Sequence, residues 1–155
     1  MNEQLISNFY QAFQKKDWQT MQTCYADDAV FSDEIFKNLN ATQTRGMWEM
    51  LIKKGKDLVI EYKIIASSEK MLKAEWKATY LFSDRNRKVV NYINAEFLIE
   101  NGKIVKHTDA FSFHKWARQA LGFTGFVFGG TRFLKKKVRA GALKNLEKFI
   151  ANKKQ

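Results

Sequence analysis

The chain has 155 residues, 45% hydrophobic and 14% aromatic, which is core material for a single domain. No apolar run approaches the roughly 20 residues that span a bilayer, and the start MNEQLISNFY lacks the basic-then-apolar pattern of a secretory signal. The single cysteine, Cys24, excludes an intrachain disulfide, so a cytoplasmic location is expected.

The formal charge of +11 is unevenly spread. Up to His114 there are 16 Lys/Arg against 15 Asp/Glu, whereas from Lys115 onward there are 11 against one acid, Glu147. The basic excess therefore belongs to the tail, and the high pI does not by itself imply a nucleic-acid partner; none is expected.

In chain order, Asn2 can cap a helix that carries Leu5, Ile6, Phe9 and Phe13 at helical spacing, to about Lys16. Asp17 can cap a second, with Trp18, Met21 and Tyr25 on one stripe. In the alternating run after it, Asp33 continues the face of Ala29 and Phe31 at a strand end. Residues 34–43 read as a loop. Thr42 or Thr44 can start a third helix, carrying Met47, Trp48, Met50 and Leu51, which should stop near Gly55.

Strands follow. Leu58, Ile60, Tyr62 and Ile64 alternate, as do Trp76, Ala78, Tyr80 and Phe82. Residues 89–99 alternate Ile93, Ala95, Phe97 and Ile99 against Tyr92, Asn94, Glu96 and Leu98. Asn101-Gly102 is a hairpin turn. Residues 103–113 form the last strand, with Val105, His107, Asp109, Phe111 and Phe113 on one face. Helical pattern then returns with Trp116, Ala120 and Leu121, followed by a glycine-rich break and a basic amphipathic helix. Helices first and consecutive strands later predict an α+β domain, a curved and mostly antiparallel sheet wrapped into a cone by the early helices. The division expected is a cone domain over 1–114 and a basic helical extension over 115–155, packed on the same domain.

Asp33, His107 and Asp109 are the candidate catalytic residues. An acid on an inward face loses solvation, which disfavours its charge and makes it a usable base. His107 and Asp109, two apart on one strand, could complete a proton relay with it. The same three could hold a metal only weakly, because no His or Cys spacing supports one. No metal and no cofactor is expected, and the glycines at 122–130 are not a nucleotide fingerprint.

The element order and the run YADDAVFSDEIF at residues 25–36 resemble the nuclear transport factor 2-like superfamily, which includes ketosteroid isomerases, SnoaL-like polyketide cyclases and limonene epoxide hydrolases. The resemblance covers about residues 2–113. It implies that Asp33 stands where the isomerases keep their general base, the handling of carboxylates for which that enzyme is a standing example. It puts Phe9 where they keep an oxyanion-hole tyrosine, with Tyr10 beside it, and Asn94 where they keep a second donor. In the cyclases an acid on the last strand does the proton work, and Asp109 fills that place. Glu34 stands where the isomerase run has proline.

With Trp18, Trp48 and Phe111, the residues Phe9, Tyr10 and Asn94 are the expected substrate-binding set. The expected ligand is a small apolar molecule, processed by isomerase, cyclase or hydrolase chemistry with Asp33 as base. The alternative is a non-catalytic ligand-binding or dimerisation module of the same fold, with a homodimer as its assembly. The tail's apolar side (Leu134, Val138, Leu146, Phe149, Ile150) needs cover. It could lie on the cone mouth, with Phe123, Phe126, Val127 and Phe128 as a lid, or on a membrane surface through its lysines. The lid is the reading that the flexible glycines at 122, 125, 129 and 130 favour.

Overall fold

The computed structural model describes residues 1–154. Helix α1 (Asn2–Gln14) buries Ile6, Phe9 and Phe13 of the stripe its spacing implies, leaves Leu5 half-buried, and buries Tyr10 beside them. Helix α2 (Trp18–Thr23) opens on Asp17, whose carboxylate accepts from Thr20 N at 3.1 Å and Thr20 Oγ1 at 2.6 Å. It stops earlier than the apolar stripe suggested. Tyr25 starts strand β1 (Tyr25–Ser32) instead, because it finds a pairing partner in Ile104.

Helix α3 (Ala41–Lys54) begins ahead of Thr42. Asn40 accepts from Gln43 N while the Gln43 side chain accepts from Asn40 N, a reciprocal cap that fixes the start. The helix ends at Gly55.

Strands β2 (Lys56–Ser67), β3 (Met71–Phe82), β4 (Arg87–Glu100) and β5 (Lys103–Ala110) form an antiparallel meander. Strand β1 adds to β5 in parallel, and the sheet order is β1-β5-β4-β3-β2. The result is the α+β architecture expected: a mixed, curved, unclosed five-stranded sheet with α1, α2 and α3 against its inner side.

One irregularity changes the facing of β5. Leu98 pairs with Lys106 but Ile99 pairs with Ile104, so Val105 is an extra residue bulged out of the ladder. Ile104, expected on the outer face, is fully buried, while Val105 is only half-buried. Beyond the bulge the alternation runs as the sequence implies, with His107 and Asp109 inward. The strand ends at Ala110, and Phe113 opens a helix, since Ser112 accepts from Lys115 N as its cap.

The chain after β5 forms α4 (Phe113–Leu121), the short α5 (Phe123–Phe128) inside the glycine-rich break, and α6 (Arg132–Lys153). Helix α6 lies along α3. Gly46 makes the close approach possible: a Cβ there would stand 2.8 Å from Ile150 Cγ1. Leu146 is fully buried in the main core, and Leu134 joins a second cluster with Val89, Phe113 and Trp116.

Both ends of α6 are also tied by charge. Lys135 reaches Glu34 at 2.8 Å, and Arg139 Nε donates to the Glu34 carbonyl at 2.9 Å. At the other end Lys153 and Lys53 both bond Glu49, a carboxylate with no solvent exposure. The expected lid does not form: Phe123, Phe126, Val127 and Phe128 are all exposed, and α6 covers the back of α3 and not the cone mouth. No helix among the described residues is long and apolar enough to cross a membrane.

Candidate functional site

Parallel pairing of β1 with β5 assembles the site. Phe31 stands opposite His107 and Ser32 opposite Thr108. One residue further along both chains come Asp33 and Asp109, which line one cavity of about 320 Å3. Its walls are mostly apolar, with Met47, Trp48, Trp76, Tyr80 and Phe111 prominent. That volume is at the small end of ligand pockets, roughly 300–1,000 Å3. Exposed Leu51, Lys54 and Ser83 are among the lining residues, so the mouth opens between the end of α3 and the β3–β4 turn.

Each carboxylate has one oxygen anchored. Asp33 Oδ1 accepts from Ile35 N at 2.7 Å and Phe36 N at 2.6 Å, an Asx turn that ends β1. Asp109 Oδ1 takes His107 Nε2 at 2.9 Å and Trp76 Nε1 at 3.3 Å. Among the described residues neither Oδ2 has a hydrogen-bond partner. Burial raises the Asp33 pKa; the Phe36 and Ile35 N–H groups oppose the rise and the charge of Asp109 adds to it, bringing the value to about 6. The acid is therefore poised to exchange a proton near neutrality.

His107 lies beneath the cavity floor and not in its wall. Its ring is 4.1 Å from that of Phe97 and stacks with Trp48 at 6.0 Å. Its Nδ1 is 2.8 Å from the Tyr25 hydroxyl, which in turn accepts from Trp48 Nε1 at 2.9 Å. Burial pushes the Tyr25 phenol well above its ordinary pKa, so the hydroxyl keeps its proton, and Nδ1 is the one acceptor within its reach among the described residues. In the neutral imidazole the ring proton then sits on Nε2 and is donated to Asp109. A one-way chain thus runs Trp48, Tyr25, His107, Asp109, and it orients the second carboxylate from below.

Of the expected binding residues, Trp48 and Phe111 line the cavity. Phe9 does not: it is enclosed edge-on by Tyr10, Phe13, Tyr25, Trp48, Phe97 and His107. Tyr10 is stacked on Tyr62 at 4.8 Å, and its buried hydroxyl has no partner among the described residues. Trp18 packs on the outside, with the Lys53 and Lys153 ammonium groups 5.0 and 5.5 Å from its ring. Asn94 is exposed on the outer sheet face, because strand alternation sends it out when Ile93 and Ala95 point in.

Two contributors were not expected. Trp76 donates to Asp109, and its place on the inward face of β3 was visible from alternation with Ala78 and Tyr80. Tyr25 holds the histidine tautomer; the only hint was its position at the start of β1. No set of three His, Cys, Asp or Glu side chains among the described residues is arranged to hold a metal.

Comparison with known proteins is consistent with this architecture. The model for the SnoaL-like domain matches residues 6–107. No curated protein matches the chain. Among solved structures, an LEH-like epoxide hydrolase from M. tuberculosis superposes with a TM-score of 0.61 at 20% identity, covering 80% of this chain and 92% of its own. A candidate polyketide cyclase from Silicibacter sp. tm1040 gives 0.66 at 18% identity, covering 76% and 93%. A hypothetical protein from Catenulispora acidiphila with a ketosteroid isomerase-like fold, in complex with trimethylamine, gives 0.65 at 11% identity, covering 75% and 91%. At these identities the likeness is one of fold.

Proposed function

The chain belongs to the SnoaL-like domain family, and from that premise we propose that it binds a small apolar molecule in the cavity and moves a proton on it, with Asp33 Oδ2 as the general base. The observation that carries the proposal is the pairing of two cavity-facing carboxylates, each held by N–H donors at one oxygen and free at the other. Anchoring fixes the direction of approach, and burial brings Asp33 to a pKa of about 6, where base strength and ionised fraction are both useful at neutral pH. Asp109 faces the same ligand from β5 and can take or return the proton at a second position. His107, enclosed behind it, acts as a positioning residue. The same constellation could activate a water against an epoxide, so isomerase, cyclase and hydrolase chemistry share one acid–base core.

The second reading is a ligand-binding module without turnover, and one observation favours it: the Asx turn alone gives Asp33 a structural reason to be there. Proton exchange separates the two. Small cyclic ketones in deuterated buffer, followed by NMR, should be deuterated next to the carbonyl by the wild-type protein, with a rate rising through about pH 6. Asp33→Asn keeps a carbonyl oxygen for the turn, so it should fold, and it should lose roughly 10²-fold or more in rate. Ligand shifts without exchange, or equal exchange by the variant, would favour the binding module. Hydration of apolar epoxides by the same pair of proteins tests the hydrolase branch.

A further inference from the structure

Helix α5 is mounted in reverse of what a water-facing surface requires. Its glycines face inward: a Cβ on Gly125 would fall 1.9 Å from the Ala117 carbonyl oxygen, and one on Gly129 would fall 2.7 Å from His114 Cδ2. The helix therefore lies with its backbone on α4. Its large side chains are driven out, and Phe123, Phe126, Val127 and Phe128 are 80, 58, 47 and 50% exposed. Phe133, in the first turn of α6, is 75% exposed. None of the five lines the cavity. Scattered apolar residues on a surface need no explanation, but a cluster within eleven consecutive residues does.

The cluster is set among cations. The Arg118 guanidinium stands 5.1 Å from the Phe126 ring, and Arg132, Lys136 and Lys137 are exposed beside Phe133. No acidic residue occurs between Lys115 and Glu147. Lys135 and Arg139 are engaged with Glu34, which holds α6 to the domain and leaves Arg118, Arg132, Lys136 and Lys137 facing solvent.

We propose that this corner, α5 with the first turns of α6, docks on an anionic bilayer surface. The phenylalanines sit below the headgroups and the Arg and Lys side chains sit among the phosphates. Charge complementarity selects this occupant: the segment that carries the apolar tips has only cations, and the one acid bonded to it, Glu34, is engaged by Lys135. The tips protrude from a convex helix corner. That suits insertion into a soft interface, whereas stacking on nucleic-acid bases uses aromatic rings laid along a groove. No helix among the described residues is both long and apolar enough to cross a bilayer, so the contact proposed is one made at its surface.

The test uses the full-length protein and sedimentation with phosphatidylcholine vesicles, with and without phosphatidylglycerol. Binding is expected to the anionic vesicles only, and raising the salt should weaken it about tenfold or more. The triple variant Phe123→Ser/Phe126→Ser/Phe128→Ser should lose about tenfold in binding at low salt. Lys136→Glu/Lys137→Glu should bind less and with a shallower salt dependence. If the triple variant does not fold, Phe126→Trp gives an independent readout: its emission should shift to the blue on anionic vesicles and be quenched by brominated acyl chains. Three results would overturn the proposal. They are no co-sedimentation or spectral shift at low salt, a folded triple variant that binds as wild type does, and lipid-free self-association or oligonucleotide retention that the triple variant abolishes.

Discussion

His107 donates to Asp109 across 2.9 Å, and the direction of that bond is decided at the far end of the chain, where Trp48 can only donate to Tyr25. Among the described residues His107 Nδ1 is the one acceptor within reach of the Tyr25 hydroxyl, so the Tyr25 proton points there. In the neutral imidazole the proton is thereby assigned to Nε2.

Tyr25→Phe tests that assignment. It strips the Trp48 N–H of its acceptor and His107 Nδ1 of its donor, both in a buried setting, and should cost about 1–3 kcal/mol in urea unfolding. In the wild-type protein the ¹⁵N shifts of His107 should report a protonated Nε2. A protonated Nδ1 would reverse the chain and remove the argument that it orients Asp109.

The raised pKa of Asp33 makes a second prediction, about pH. Folding favours the protonated acid, so the native state binds more protons than the unfolded chain between the ordinary aspartate value and about 6, and stability falls as pH rises through that window. The full shift corresponds to about 3 kcal/mol, and partial exposure of the residue brings the expectation to roughly 1–3 kcal/mol. Asp33→Asn should therefore be more stable than wild type above pH 6, and the gain should vanish at pH 4 in paired denaturation curves. Asp109→Asn removes a like charge and should lower the Asp33 pKa, which a ¹³C carboxyl titration would read directly.

The third prediction concerns the anchoring of α6. Burial pushes the pKa of Glu49 up, but bonds from Lys153 and Lys53 outweigh it and hold the value below the ordinary one. The contribution of this pair is present above the unfolded glutamate value and is lost as pH falls through the lower folded value. Lys153→Met leaves Lys53 in place, so the expected loss is about 1 kcal/mol, seen at neutral pH and absent in acid. Hydrogen exchange should show that loss in α6 first, with β3 and β4 unaffected.

Much of the site was legible because it depends on local alternation. Residues 29–33 put Asp33 inward, and residues 107–109 put His107 and Asp109 on one face. What alternation could not supply is the depth of each group: His107 and Asp109 share a face, yet one lies under the floor and the other in the wall. Val105 escaped notice because a bulge is a property of the pairing between β4 and β5, not of β5 alone. Asn94 rested on family likeness where the strand pattern already grouped it with Tyr92 and Glu96. The glycines at 125 and 129 read as a flexible break because their packing against α4 is a tertiary fact. Glu49 and Lys153 are 104 residues apart, beyond any local pattern.

The parallel seam between β1 and β5 also sets a timetable. Every wall of the cavity contributed by β3, β4 and α3 precedes Asp109 in the chain, but β1, which leads into Asp33, has only the single bridge between Phe31 and Leu39 until residues 104–108 arrive beside residues 25–32. A nascent chain emerging from the ribosome must carry β1 without its strand partner for some eighty residues, with only the local bridge to Leu39 to hold it. Closing that long loop is the slow kind of step. The last strand of the meander therefore completes the sheet and the two-acid site together, and a chain stalled before β5 would hold apolar walls with only half of its chemistry.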